Sequence, residues 1–346
     1  MMRRSLWQAG PLGIAATCWL LVASAVLVQA GAFGRLIRQK DSLYHRIFVY
    51  QQGSVVTLQF GRPTSWIVQS QVDLSDMRRH MLEYSALAFG GLLYQPEPER
   101  VLVVGLGAGV IPREMHHYLP DVTTDVAEID PEVPPIAEEL FGFRPDEKLK
   151  VHVADGRMFV KRQLRREPVP KYDIVVLDAF NSDYIPFHLM TREFFEELRG
   201  VLADDGVVVA NVLHTNRLAD AELKTLLAVF GRCQAFVGRR STNTILVAPG
   251  SAAQTLTADE ALSRARQLQQ RHSFAFDLRG VARNLQPYPR PDPRAQVLTD
   301  DQAPVNWLRF QEAERPADWA AQEEPGPAPE GEGGAPSEGP PPVQGD

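Results

Sequence analysis

The sequence predicts an α/β fold, in which a parallel β-sheet with helices on both faces follows a small antiparallel β-meander. Beyond residue 100, short apolar runs alternate with helical stretches, and this rhythm is typical of parallel strands joined by helical crossovers. The runs VLVV and DIVVL are continuously apolar, as expected for central strands that are buried on both faces. Before them, the β-rich runs of residues 43–70 are broken by turn residues, which favours hairpins.

The N-terminal residues 1–40 are predicted to form a membrane anchor or a signal segment. No residue between Arg4 and Arg35 is charged, and this stretch, which includes the apolar run 14–28, is long enough to cross a bilayer. An uncleaved single anchor makes the protein membrane-associated. A cleaved signal peptide, with residues 30–32 as the small-residue cleavage site, makes it exported instead. Basic residues flank both ends of the stretch, so the side of the membrane stays open.

Three further segments complete the predicted organisation. Residues 41–73 form the β-meander, and a helix over roughly 74–93 opens an α/β domain of residues 74–311. Residues 312–346 are rich in proline, glycine and acids that cannot bury enough apolar surface to order themselves, so a disordered tail is predicted. The strands predicted in the α/β domain are VLVVG, TTDVAEID, KVHVAD, YDIVVLD, GVVVANVL and TNTILVAP, and its helices include 191–203 and 218–230.

Charge and cysteine content exclude several classes of partner. The formal net charge is −7, but the acidic residues after 310 account for all of it, and the remainder offers no basic stripe for nucleic acid. Cys18 and Cys233 lie in very different segments and predict neither a disulfide framework nor a metal cluster. The pair His116-His117 lies on a predicted helix, where it is more typical of a polar face than of a metal site.

The first strand of the α/β domain ends in a glycine-rich turn, GLGAG. Ligands of open α/β sheets bind beyond the carboxyl ends of the strands, and glycines let the backbone approach a ligand closely. A dinucleotide fingerprint would place its third glycine at position 110, where this chain has Val110. The spacing found favours the nucleoside of an S-adenosylmethionine-type cofactor. Gly105, Gly107 and Gly109 are therefore candidate cofactor-binding residues, with plain strand-to-helix packing as the alternative.

Two acids at the ends of later strands are further candidates for cofactor binding. Glu128 lies 23 residues after Gly105, where an acid can accept hydrogen bonds from both ribose hydroxyls. Asp155 ends the next strand and can accept a hydrogen bond from an adenine amino group. The alternatives are a charge at a helix N-terminus for Glu128 and a helix N-cap for Asp155. Asp130 is more typical of an N-cap than of a ligand.

The fourth strand provides the candidates for catalysis, Asp178 at its end and Asp183 in the following loop. A carboxylate there would attract a cationic or amine substrate in a partly dry cleft. It could also accept the proton that an amine must lose before it attacks carbon. Either acid could instead cap the loop or the helix that begins near Thr191.

These motifs together resemble the spermidine synthase family, the polyamine aminopropyltransferases, over about residues 41–250. The resemblance implies a Rossmann-like, methyltransferase-type sheet, a transferase activity and a role in polyamine biosynthesis. It implies that decarboxylated S-adenosylmethionine donates an aminopropyl group to a small-molecule amine, without a metal, and a homodimer stays an open expectation. By resemblance, the nucleoside is held by Gly105, Gly107, Glu128 and Asp155, and the amine is bound and deprotonated by Asp178 and Asp183.

The sequence also departs from the family's pattern. Ala108 stands where members usually carry an Asp that helps to hold the donor's aminopropyl end. Residues 78–80, Arg-Arg-His, stand where members have Tyr-His-Glu, and the proline- and tyrosine-bearing loop before the last strands is replaced by residues 233–243. The longer loop after Asp178, with Pro186, His188 and Leu189, resembles a membrane-fused branch of the family.

Three functions follow as hypotheses. The first is a membrane-associated aminopropyltransferase with an amine acceptor. The second is a methyltransferase that uses intact S-adenosylmethionine, because Arg78 or Arg79 would suit a donor that keeps its carboxylate. The third is a non-catalytic nucleoside- or polyamine-binding membrane protein.

Overall fold

A computed structural model describes residues 33–61, 67–180, 185–214, 217–286, 290–304 and 308, and two β-sheets organise this part of the chain. The smaller sheet is an antiparallel meander of four strands in sequence order, as predicted. Gln52 pairs with Val55, and Gly53, with φ +61°, begins the two-residue turn between them. The strands of this sheet are β1 (Arg35–Asp41), β2 (Arg46–Gln52), β3 (Val55–Phe60) and β4 (Ser70–Asp73).

The larger sheet has eight strands in the order β12-β10-β11-β9-β8-β5-β6-β7. Its strands β7, β6, β5, β8 and β9 are adjacent and parallel, which confirms the predicted α/β class. The strands are β5 (Arg100–Val104), β6 (Thr123–Glu128), β7 (Leu149–Val153), β8 (Tyr172–Leu177), β9 (Leu202–Leu213), β10 (Gln234–Val237), β11 (Asn243–Pro249) and β12 (Leu285–Gln286).

One edge of this sheet is antiparallel, which differs from the sequence-based expectation. The run TNTILVAP was expected to be another parallel strand, but as β11 it pairs antiparallel with β9, with Asn243 opposite Leu213. The reason is the connection, because residues 238–242 join β10 to β11 as a hairpin rather than through a helical crossover. The chain therefore reverses direction at this edge.

The helices cover both faces of the larger sheet, and alternation along β5 shows how. Val101 and Val103 pack in one buried cluster with α2, α3 and α7, whereas Leu102 and Val104 pack in the other with α4, α5 and α6. The helices are α1 (Glu83–Leu87), α2 (Val110–Tyr118), α3 (Val133–Leu140), α4 (Gly156–Leu164), α5 (Arg192–Val201), α6 (Arg217–Phe230), α7 (Ala258–His272) and α8 (Leu278–Arg283), with 3₁₀ helices at Ala88–Leu93 and Phe187–Leu189.

The helix expected over residues 74–93 is much shorter in the structure. Asp73 Oδ1 accepts hydrogen bonds from the backbone and hydroxyl of Ser75, at 3.0 and 2.6 Å, and these bonds form a turn after β4. At the other end, a Cβ added to Gly91 would lie 2.8 Å from Val209. The chain is therefore packed closely against the sheet and continues there as a 3₁₀ helix.

The small sheet packs onto the larger one and is bonded to its carboxyl edge. Ile47 and Leu58 belong to the same buried cluster as the face of β5 described above. Beyond the end of β6, the completely buried Asp130 accepts hydrogen bonds from Ser42 Oγ at 2.5 Å and His45 Nδ1 at 2.9 Å. It also accepts one from the backbone of Glu132, which is itself the N-cap of α3, so Asp130 stabilises the turn before this helix and is not its N-cap as expected.

The prediction of a membrane-associated protein is corrected by the structure. Within the described ranges, no helix is both long enough and apolar enough to cross a bilayer. The apolar run 14–28, on which the anchor and signal-peptide hypotheses depended, lies outside those ranges. The acidic tail of residues 312–346 lies outside them as well.

Two glycines test how much close packing contributes to stability. Gly109 and Gly231 have nearly the same φ, +72° and +73°, but an added Cβ would overlap the Phe143 ring at Gly109 and meet nothing within 4 Å at Gly231. Both alanine variants should lose ~1–2 kcal/mol from the left-handed backbone. Gly109→Ala should lose a further ~1–3 kcal/mol from overlap. Urea unfolding measures both, and equal losses would contradict the packing argument.

Candidate active site

A cleft of about 830 Å³ lies at the carboxyl edge of the parallel strands, where open α/β sheets bind ligands. Its walls come from both sheets: the small sheet contributes Phe60 and Ser70, and the larger sheet contributes the loops after β5, β6 and β8. These elements bring most of the candidate residues from the sequence into one place. The candidates that line the cleft are Gly105, Gly107, Glu128, Asp155 and Asp178.

The glycine turn approaches its neighbours more closely than a side chain would allow. Gly105 has φ +97°, and an added Cβ would overlap the carbonyl oxygen of Asp178. Gly107 has φ +55°, and its Cβ would lie 2.7 Å from Ser70 Oγ. Gly109 is not among the residues that line the cleft; it caps the N-terminus of α2 and faces the Phe143 ring. The left-handed backbone and the packing against Phe143 therefore account for glycine at 109.

Glu128 is 5% exposed, and both oxygens of its carboxylate accept hydrogen bonds from backbone N–H groups. Its Oε2 accepts from Leu106 N and its Oε1 from Asp130 N, both at 2.8 Å. Burial raises the pKa of this carboxyl, while these backbone hydrogen bonds work to lower it. Glu128 also lines the cleft, where a carboxylate can accept hydrogen bonds from a ligand.

Asp155 caps α4, as the alternative interpretation proposed, and also lines the cleft. Its Oδ1 accepts from Met158 N at 2.9 Å, and its Oδ2 lies 2.7 Å from His188 Nε2. Burial works to raise the pKa of Asp155, but these two hydrogen bonds hold it below its usual value. The loop with Pro186 and His188 thus closes one side of the cleft.

Asp178 lies partly buried in the cleft with one oxygen fixed by an amide. Asn211 Nδ2 donates to Asp178 Oδ1 at 2.8 Å, and Asn243 Nδ2 donates to Asn211 Oδ1 at 2.9 Å. Burial raises the pKa of Asp178 to about 7, although the bond from Asn211 works to lower it. The second predicted acid, Asp183, lies outside the described residues.

Tyr84 was missed by sequence reasoning and lines the cleft close to Asp178. It is half-buried, and its hydroxyl donates to the carbonyl of Gln69 at 3.0 Å. Burial and the nearby charge of Asp178 raise the pKa of this phenol well above its usual value. Ser70, also in the wall, accepts from the backbone of Ala108 at 3.1 Å. None of these contacts has a signal in a single sequence, because each joins distant segments.

One expectation about departures from the family's pattern is corrected. Arg78 and Arg79 do not line the cleft, and the part of this segment that does is Met81–Tyr84. His80 is packed among aromatic rings, and burial lowers its pKa to about 4. Ala108 is completely buried and also lies outside the lining. The two arginines therefore give no support to a donor that keeps its carboxylate.

Comparison with known proteins identifies the family. Residues 81–237 match the spermine/spermidine synthase domain. Over 284 residues, the chain is 36% identical to a polyamine aminopropyltransferase from Vibrio vulnificus. The matched region covers 79% of this chain and 91% of that relative. The chain belongs to the spermine/spermidine synthase family. Membership confirms the resemblance and the transferase class predicted from the sequence.

Solved structures of the family share the fold. A probable spermidine synthase from Corynebacterium glutamicum superimposes with a TM-score of 0.57 at 21% identity, over 78% of this chain and 98% of that one. This likeness confirms the Rossmann-like, methyltransferase-type α/β fold. The chain is also 31% identical over 191 residues to the eEF1A lysine and N-terminal methyltransferase of Bos taurus. The matched region covers 52% of this chain and 27% of that protein.

Behind one wall of the cleft lies a buried acid, Glu222 on α6. It forms no hydrogen bond or ion pair within the described ranges, and it lines a cavity of about 20 Å³ whose other walls are apolar. Val104, Ala179 and Leu189 line both this cavity and the cleft. Burial raises the pKa of Glu222 to about 8. The carboxyl is therefore protonated in the folded protein at neutral pH.

This acid makes stability depend on pH. The folded-state pKa lies above the unfolded one, so the native state binds the extra proton, and the free energy of unfolding should fall as pH rises from about 4.5 to about 8. Glu222→Gln should flatten that fall by on the order of several kcal/mol. Urea unfolding between these pH values measures the slopes. The exposed Glu196→Gln is the control, and parallel curves for wild type and Glu222→Gln would refute the assignment.

Proposed function

We propose that this protein transfers an aminopropyl group from decarboxylated S-adenosylmethionine to an amine acceptor. Family membership supports an S-adenosylmethionine-type co-substrate and a small-molecule amine as the two substrates. The observation that supports aminopropyl transfer to an amine is Asp178. Its carboxyl lies in the cleft, and burial raises its pKa to about 7. Such a group exists in both protonation states near neutral pH, as a general base for an ammonium requires.

The donor's adenosine would be held at the other side of the cleft. We assign the ribose hydroxyls to Glu128, the adenine amino group to Asp155, and the close backbone approach to Gly105 and Gly107. This assignment fits the geometry, because these groups surround one cavity beyond the strand ends. Gly109 is left out of the donor site, since it faces Phe143.

In the proposed step, the Asp178 carboxylate accepts a proton from the acceptor's ammonium. The freed nitrogen lone pair attacks the aminopropyl carbon that is bonded to the sulfonium, a C–N bond forms and the C–S bond breaks. The electron pair of that bond goes to sulfur, which leaves as a neutral thioether. Asn211 holds one oxygen of Asp178 and so directs the other toward the amine. A role for Asp183 in binding the amine, and a homodimer, stay predictions.

A methyltransferase is the second candidate, favoured by the 31% identity with the bovine eEF1A methyltransferase. Both candidates use the same adenosine site and differ in the donor. Arg78 and Arg79 do not line the cleft, so they give no support to a donor that keeps its carboxylate, as the methyltransferase would require.

Donor binding separates the two candidates. Calorimetry with the full-length chain should show tighter binding of decarboxylated than of intact S-adenosylmethionine, because four acids and one arginine of the described residues line the cleft, and this excess of negative charge disfavours a donor carboxylate. Glu128→Ala should weaken binding by ~1–3 kcal/mol, the cost of leaving hydroxyls unpaired. Glu132→Ala, a half-buried acid after the same strand that lies outside the cleft lining, is the control. Preference for intact S-adenosylmethionine would favour the methyltransferase, and no heat with either donor would refute both.

Catalysis tests Asp178. Asp178→Asn should abolish aminopropyl transfer without weakening donor affinity, since an amide cannot accept the proton. In the wild type, kcat/KM should rise with pH through about 7 as the carboxyl ionises.

Asn211→Ala provides a second test of Asp178. The substitution removes the hydrogen bond that works to lower the pKa of Asp178, so the rise of kcat/KM with pH should move to higher pH. A fully active Asp178→Asn enzyme, or a rise that stays in place in Asn211→Ala, would remove Asp178 from the mechanism.

A further inference from the structure

A second groove, of about 620 Å³, adjoins the cleft. Glu83 and Arg240 line both, so the two spaces meet at these side chains. The groove is formed by the segment before α1, the loop between β10 and β11, and α8. The proposed reaction does not use it.

The groove is rich in arginine. Five arginines line it against three acids, Asp76, Glu83 and Asp277, and its one histidine has a pKa lowered by burial to about 4. Asp277 is engaged with two arginines of α8, at 3.0 and 3.4 Å. The groove therefore carries a net positive charge at neutral pH. Its arginines are Arg78, Arg79, Arg239, Arg240 and Arg283.

Three of these guanidinium groups are available to a ligand. Arg78, Arg239 and Arg240 are exposed and form no side-chain ion pair within the described ranges. Glu83 binds the loop rather than a guanidinium, because its carboxylate accepts from the backbone N–H of Arg239 at 3.2 Å and of Arg240 at 2.8 Å. The acid thus holds two arginines where the groove opens into the cleft.

The basic groove meets the cleft on the side of Asp178. Residues 240–243 line the cleft, and Asn243 leads through Asn211 to Asp178 by two hydrogen bonds. Three residues of extended chain span at most about 11 Å, so the backbone of Arg240 lies within that distance of Asn243. A carboxylate that attracts an amine and an arginine that attracts an anion therefore line the same cleft.

A simple diamine complements only half of this arrangement, since its second ammonium would approach arginines. We propose that the acceptor carries an anionic group, a carboxylate or a phosphate, besides its reacting amine. The amine binds at Asp178 and the anion binds among Arg78, Arg239 and Arg240, where guanidinium groups match the geometry of both anions. The inference rests on the proposed aminopropyl transfer and names its acceptor class.

The test compares acceptors that differ by one anionic group. With full-length protein and decarboxylated S-adenosylmethionine, kcat/KM is measured for 1,4-diaminobutane, for ornithine, which is the same diamine with a carboxylate, and for 3-aminopropyl phosphate. Ornithine or the phosphate should exceed the diamine by roughly tenfold. Arg240→Ala should reduce that ratio and Arg240→Lys should restore part of it. Arg266→Ala, an exposed arginine of α7 outside the groove lining, should leave the ratio unchanged.

Two outcomes would overturn the inference while the proposed function stands. One is turnover of the diamine at least as efficient as that of both anionic acceptors, with a ratio that does not respond to Arg240→Ala. The other is stimulation of diamine turnover by inorganic phosphate that is lost in Arg240→Ala, which would make the bound anion a separate effector. If the donor binds but no acceptor is used, the proposed function itself fails and the acceptor class falls with it.

Discussion

The close approach of three strand ends is the constraint on which the site depends. Gly105 ends β5 against the carbonyl of Asp178 at the end of β8, and no other residue would leave room for that oxygen. Glu128, at the end of β6, bonds the backbone of Leu106 in the same turn. Because parallel strands deliver their carboxyl ends to one edge, acids far apart in sequence become neighbours in one cleft. The glycines determine how near they come.

The small sheet is part of the site rather than an appendage. Ser70, in β4, accepts from the backbone of Ala108 and lies where a side chain at Gly107 would be. His45 and Ser42 reach Asp130 just beyond the end of β6. A buried carboxylate with these partners is stabilised only while both sheets are in contact, so the wall of the cleft and the interface between the sheets are the same structure.

Much of this arrangement follows from local pattern in the sequence. Continuous apolar runs identify the buried strands, and acids at their ends identify Glu128, Asp155 and Asp178 as candidates. The antiparallel edge could not be predicted, because its direction depends on a hairpin whose sequence looks like an ordinary loop. Tyr84 and Asn211 were missed for another reason: each contacts Asp178 or its surroundings across the fold, and no periodicity records such a contact. Residues 78–80 were misplaced because family spacing cannot show which side of a turn faces the cleft.

The bonds between the two sheets also bear on how such a protein can change over evolutionary time. Ser42, His45 and Ser70 belong to the meander, whereas their partners, Asp130 and the backbone of Ala108, belong to the α/β domain. A meander exchanged by recombination would arrive without matching partners and would leave Asp130 with an uncompensated buried charge. The two sheets should therefore be inherited together as one unit.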